Sequence, residues 1–293
     1  MEGSTTVQRL VAWAEAEQEV RALFLVGSRG EADGRPDRLS DHDVLIFARD
    51  GARYESDEDW LVSFGSILVK LHAEYELLGT TVPTRLVQYL DGTRIDFSVC
   101  DVTLLERIAE GPKLPDMLDA GFRALNDKDG WASRLPKATG EAYRGRVPRE
   151  TDYQAVVNEF WWEVTYVAKH LARGELLPAL YSSECVIRFQ CLVPMLEWHT
   201  RAVHGSDARI GPHGRGLTQV LDKEEWGRLQ RTCLGASIED AWKALFATTE
   251  YFREISHHVA EHFGFVADEL ALGVEELLRT MKGGRAGESQ NSG

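Results

Sequence analysis

Cysteine is scarce in this chain and has no pattern. Cys100, Cys185, Cys191 and Cys233 are the only four in 293 residues, and no two form a Cys-x-x-Cys pair. That spacing argues against a thiolate zinc site and against a disulfide framework, and leaves reduced thiols packed in a core. Positive charge is also short. With 33 Lys and Arg against 47 Asp and Glu, the formal net charge is −14. Such a balance repels nucleic acid and favours small cations or polycationic substrates as partners. No uninterrupted apolar run is long enough for a bilayer, and MEGSTTVQRL lacks the basic start and apolar stretch of a leader. The expectation is a cytoplasmic protein with no membrane partner, a monomer or a dimer. Apolar residues are not short: they make up 43% of the chain, with 9% aromatic. That suffices for the cores of two ordinary domains.

Residues Thr6 to Arg21 carry helical periodicity, with Val7, Leu10, Val11, Ala14 and Val20 on one face. ALFLVG then reads as a short buried strand ending at Gly27, and HDVLIFA as a second. WLVSFGSILVKLHAEYELLG reads as a short helix feeding a third strand over Ile67 to His72. In RLVQYLDGTRIDFSVCD, Asp91-Gly92 separates two alternating runs, which predicts a tight hairpin. Its second arm turns Ile95, Phe97 and Val99 one way, and Asp96 and Ser98 the other. Ala132 to Thr151, rich in Gly, Pro and charge, reads as a linker. From Asp152 onward the apolar period is helical throughout, which predicts a bundle. GGRAGESQNSG has nothing to bury and reads as disordered.

The chemistry lies in LFLVGSRGEADGRPDRLSDHDVLIFARD, Leu23 to Asp50. Asp41 and Asp43 stand at the mouth of a buried strand, where two carboxylates repel each other and lose hydration. A positive group is expected between them. Two residues apart on an extended chain, they face the same side, and Asp96 joins them if its strand is a neighbour. Three convergent carboxylates are an oxygen site suited to Mg²⁺. A pair of such ions can bind the attacking and leaving oxygens of a phosphoryl displacement. Gly27-Ser28, at a strand end, lets backbone N–H groups approach a phosphate, and the Ser28 hydroxyl adds a donor.

Gly-Ser, a loop, Asp-x-Asp and a later strand Asp together resemble the nucleotidyltransferase superfamily of DNA polymerase β type. The resemblance extends to the aminoglycoside 6-adenylyltransferases, the streptomycin-modifying enzymes. It is carried by GSRG with SDHDVLIF, RIDFSV with LLERI, NEFWWEVTYVAKHLARGEL and EDAWKALFATTEYFREIS, spanning roughly Val20 to Gly264. It implies an α+β fold: a nucleotidyltransferase domain over residues 1–135, with a mixed sheet flanked by helices. A helical substrate-binding domain over 136–282 and a disordered tail over 283–293 would follow, with the active site in the cleft between the domains. It implies transfer of AMP from Mg-ATP to a streptidine hydroxyl of streptomycin, a cationic aminoglycoside. Asp41 and Asp43 would be the metal pair, and Asp96 a third metal ligand or the base. Gly27, Ser28 and Arg29 would form the phosphate loop, and Lys169 a triphosphate contact. His170 stands where the family pattern leads one to expect a small residue.

Glu159 and Glu163 fall at i,i+4 on one predicted helix face beside Trp161 and Trp162, with Trp161 the assigned indole. Acid beside aromatic suits a guanidinium-bearing acceptor. Asp101 is a weaker acidic candidate. His257, His258, Glu261 and His262 lack the His-Glu-x-x-His order of a zinc protease and read as a wet helix face. GPHGRG, with Arg215, reads as a loop between helices. The competing functions are transfer to another small hydroxylated acceptor such as a lincosamide, nucleic-acid polymerisation or tRNA tailing, and a non-catalytic antitoxin-like module. The net charge opposes polymerisation and tailing, and retention of all three carboxylates opposes the module.

Overall fold

The computed structural model describes residues 5–31, 34, 36–141, 147–205 and 210–288. The chain divides into two compact units, residues 1–143 and 144–293.

The first unit runs α1 (Thr6–Ala16), β1 (Val20–Val26), a 3₁₀ turn (Gly27–Arg29), β2 (His42–Ala48), α2 (Gly51–Ser56) and a 3₁₀ segment (Asp59–Phe64). β3 (Ile67–Leu77), β4 (Thr80–Tyr89), β5 (Arg94–Asp101), α3 (Val102–Glu110), α4 (Asp116–Asp119) and β6 (Arg123–Asp127) complete it. Thr5 and Gln8 start α1 with a reciprocal capping box. The helix stops at Ala16, short of the Arg21 to which the periodicity extends, because Val20 already opens β1. β3 continues to Leu77, beyond the His72 read from sequence. The half-exposed strand β6 was not foreseen, since it shows no alternation.

The sheet has the order β3-β4-β5-β2-β1-β6. Only β2 and β5 pair parallel; the other neighbours are antiparallel. β1 and β2 are covered on both faces, which is why each reads as a continuous apolar run. One face packs Leu23, Leu25, Val44, Ile46, Ile95, Phe97 and Val99 against Leu10 and Trp13 of α1. The other packs Ala22, Phe24, Val26, Leu45, Phe47 and Cys100 against Leu104, Leu105 and Ile108 of α3.

The second unit is helical: α5 (Glu150–Arg173), α6 (Leu176–Tyr181), a π-helical stretch (Ser182–Leu192), α7 (Val193–His204), α8 (Leu217–Val220), α9 (Lys223–Arg231), α10 (Ile238–Phe263) and α11 (Leu270–Glu288). α11 carries helix past residue 282 into the stretch read from sequence as disordered; residues 289–293 lie outside the described residues. Tyr153, Val157, Phe160, Trp161, Val164, Val167, Ala168 and Leu171 form the buried stripe of α5. They pack against Trp242, Leu245, Phe252 and Val259 of α10. The helix Leu176–His204 meets the length and composition of a membrane span. Glu184, Arg188 and Glu197 interrupt its apolar run, and Ile187, Cys191, Leu192, Met195 and Leu196 on it lie in this unit's core.

Candidate active site

The site begins with a register. On parallel neighbours β2 and β5, Asp43 is paired with Asp96, followed by Val44 with Phe97 and Leu45 with Ser98. Paired residues share a face, so the carboxylates of Asp43 and Asp96 emerge together, on the side away from Val44, Phe97 and Val99. On the other flank of β2, Asp43 is paired with Val26, the last residue of β1. Gly27 follows in a left-handed conformation, φ 61°. A Cβ there would lie 3.3 Å from Asp43 Cγ and would overlap its Oδ2. Glycine is thus required twice, by the backbone turn and by the carboxylate beside it. Gly30 closes the turn, its N–H donating to the Gly27 carbonyl at 2.9 Å.

Asp41 precedes β2 and depends on Arg29 for its place. Arg29 Nε donates to the carbonyls of Ser40 and Asp41, both at 3.1 Å, and Nη2 donates to Asp37 at 2.8 Å and Ser40 at 2.9 Å. These bonds fasten the loop before β2. Arg29 therefore positions this loop through Nε and Nη2.

The positive group expected among the carboxylates is Arg94. Its Nε donates to Asp96 Oδ1 at 3.1 Å, its Nη2 to Asp96 Oδ2 at 3.3 Å, and its Nε lies 3.5 Å from Asp41 Oδ2. Sequence reasoning missed it, although two residues before Asp96 on a strand is the same face. Burial pushes the Asp96 carboxyl above its usual range; the bond and charge of Arg94 pull it back incompletely, and Asp41 adds to the rise. The bond to Asp96 in turn holds Arg94 more firmly charged. Among the described residues no three His, Cys, Asp or Glu side chains stand close enough to share a metal ion. By chemistry the fit is nonetheless good. All three donors are carboxylate oxygens, as a hard divalent cation prefers, and a cationic group already lies against two of them.

Asp101 does not join them. It is paired with Ala48 at the opposite end of β2 and β5, and its Oδ1 caps α3, accepting from the Thr103 N–H at 2.9 Å. In the second unit Trp161 is 2% exposed and packs edge-on to Phe160 at 5.0 Å, so it is core. The exposed indole is Trp162, at 70%. With Glu163, Tyr166, His170, Pro178, Tyr181, Ser182 and Val186 it lines a cavity of about 680 Å³. A helical count of α5 separates the two tryptophans: 157, 160, 161, 164 and 168 follow the core stripe, and 162 does not. Glu159 and Lys169 are exposed on α5. Lys169 falls at helical spacing from Trp162 and Tyr166. His170 Nδ1 meets Glu175 Oε2 at 2.7 Å, closing the end of α5. His257 and Glu261 are on a wet surface, while His258 turns inward to His199, Nδ1 to Nδ1 at 2.9 Å. GPHGRG is a loop between α7 and α8, bridged from the Gly211 N–H to the Arg215 carbonyl at 2.8 Å.

The chain is 25% identical over 253 residues to the aminoglycoside 6-adenylyltransferase of Bacillus subtilis (strain 168), covering 85% of this chain and 87% of the relative. It is 28% identical over 251 residues to the aminoglycoside 6-adenylyltransferase of Campylobacter jejuni, covering 85% and 84%. Among solved structures, an aminoglycoside 6-adenyltransferase from Bacillus subtilis aligns with TM-score 0.46 at 21% identity, over 96% of this chain and 99% of that one. The family model for streptomycin adenylyltransferase matches residues 2–280. This chain belongs to the streptomycin adenylyltransferase family, and it is an enzyme of the adenylyl-transferring class.

Proposed function

We propose that the chain transfers AMP from ATP, with Mg²⁺, to the 6-hydroxyl of the streptidine ring of streptomycin, releasing pyrophosphate and conferring resistance in the cytoplasm. The observation that carries this reading is the parallel pairing of Asp43 with Asp96, with Gly27 against Asp43. Asp41, Asp43 and Asp96 are the residues that would hold Mg²⁺, which when bound neutralises charge on the triphosphate. The acceptor oxygen attacks the α-phosphorus, the bond to the bridging oxygen breaks, and pyrophosphate leaves. Asp96 takes the hydroxyl proton. Burial raises its carboxyl and makes it a better base than a solvated aspartate. The Gly27–Ser28 backbone and the Ser28 hydroxyl donate to phosphate oxygens. Exposed Trp162, Tyr166 and Tyr181 beside Glu163 suit a planar guanidinium, which stacks on rings and pairs with a carboxylate, and Glu159 adds a second acid.

The test is incubation with Mg-ATP and separate acceptors, namely streptomycin, other aminoglycosides and a lincosamide, followed by mass measurement of the products. Streptomycin heavier by one AMP is expected, with fragmentation placing it on streptidine. AMP on a lincosamide alone would reassign the acceptor, and no adduct with any acceptor would refute the proposal.

A further inference from the structure

Arg94 lies against Asp41 and Asp96 and has no role in the proposed transfer. It opens β5, two residues before Asp96, and so projects from the same face. Its guanidinium takes both oxygens of Asp96 and reaches Asp41. A guanidinium and a hard divalent cation both require carboxylate lone pairs, and the two positive groups repel at contact distance. The Arg94 side chain is 43% exposed, so it can leave for water without opening the core. Asp96, at 17%, cannot.

We propose that Arg94 is the internal counter-ion of the metal–nucleotide site. It neutralises Asp96 and Asp41 in the nucleotide-free protein, and a divalent cation binds them only when Arg94 moves off. The inference rests on the proposed role of these carboxylates as Mg²⁺ ligands. Its energetic content is a competition: the apparent cation affinity equals the intrinsic affinity reduced by the fraction of molecules in which Arg94 has released the carboxylates. The free cation therefore binds weakly. The Mg-ATP complex, with additional contacts to the phosphate loop, is better able to displace the guanidinium. The site is thereby kept from collecting cations without nucleotide.

The experiment titrates Mn²⁺ into the full-length, nucleotide-free protein, reading free Mn²⁺ by electron paramagnetic resonance. Arg94→Met removes the charge while keeping length. Arg94→Lys keeps a charge that cannot engage both carboxylates in the same planar fashion. Arg94→Met should bind Mn²⁺ roughly tenfold or more tightly than the parent chain, with Arg94→Lys between them. Adding Asp43→Asn to Arg94→Met should remove the gain, locating the ion among these carboxylates. The gain should persist from about 0.1 M to about 1 M NaCl, where a long-range field effect would be screened away. Equal or weaker binding by Arg94→Met, or a gain that vanishes at high salt, overturns the counter-ion role and leaves the Mg²⁺ reading standing. Absence of Mn²⁺ binding in every form, with or without ATP, overturns both.

Discussion

Asp43 and Asp96 stand side by side across the only parallel strand pair in the described sheet, with Gly27 pressed against Asp43 from the turn that follows β1. The site is thus one row across the neighbouring strands β5, β2 and β1. The parallel pairing matters chemically. It sets both carboxylates at the same level, on the same face, as the start of each strand emerges from the core.

Asp41→Asn and Asp43→Asn should each lower the rate of AMP transfer by more than about tenfold, equivalent to about 1.4 kcal/mol of barrier. Asp96→Asn should lower kcat further than it weakens ATP binding, because a base acts on the acceptor proton in the transition state. The same change should raise the melting temperature at pH 8. Burial holds the folded-state carboxyl of Asp96 above its ordinary range, so the stability of the protonated form is lost as pH rises through that value. The amide avoids the loss. Calorimetry, with ATP titrations beside steady-state rates, checks both halves; a lower melting temperature together with equal losses in kcat and ATP affinity would refute the assignment.

Gly27→Ala should damage the site without unfolding the protein. The new methyl group meets the Asp43 carboxylate, and φ of 61° is strained for any L residue. The expected destabilisation is about 1–2 kcal/mol. The activity loss should exceed it, because Asp43 must move. Urea denaturation beside initial rates separates the two effects.

The hairpin, the strand-mouth pairing of Asp43 with Asp96 and the helical second half were legible in the sequence because each depends on a local pattern: alternation around Asp91-Gly92, Asp-x-Asp at a strand mouth, and helical period beyond Asp152. The end of α1 was not, because an apolar residue such as Val20 satisfies both a helix face and a buried strand. β6 has no alternation to read. Arg94 was overlooked as one basic residue beside a turn, although strand parity aims it at Asp96. Arg29 was placed by resemblance, and its bonds to the carbonyls of Asp37, Ser40 and Asp41 depend on a loop fold that no short-range pattern encodes.

The adjacent tryptophans of α5 should part company under mutation. Trp161→Ala removes a core side chain packed against Phe160 and Phe252, and should cost about 3–5 kcal/mol. Trp162→Ala removes an exposed ring and should change stability by less than about 0.5 kcal/mol. It should nevertheless raise KM for streptomycin and leave that for ATP unchanged, and Glu163→Gln should do the same. Unchanged streptomycin affinity in both variants would return this cavity to plain surface.

Glu197 lies on α7, and burial pushes its carboxyl from 4.5 up to about 7. In the unfolded chain the group ionises near its ordinary value, while in the folded protein it keeps its proton for longer. Its contribution is therefore neutral below about pH 4.5 and increasingly destabilising as pH rises towards 7. The size is on the order of 1–3 kcal/mol, set by the shift and reduced by partial solvent access. His199, two residues on, works against it. Burial lowers its pKa, so it destabilises as pH falls below the ordinary imidazole range. The raw stability profile mixes these terms, and a difference between variants separates them. Urea midpoints of the parent chain and Glu197→Gln, measured from pH 4.5 to 8.5, should converge at the acid end. They should diverge in favour of the Gln variant as pH approaches 8. A constant offset across that range would mean that Glu197 titrates alike in both states, and that burial does not hold its proton.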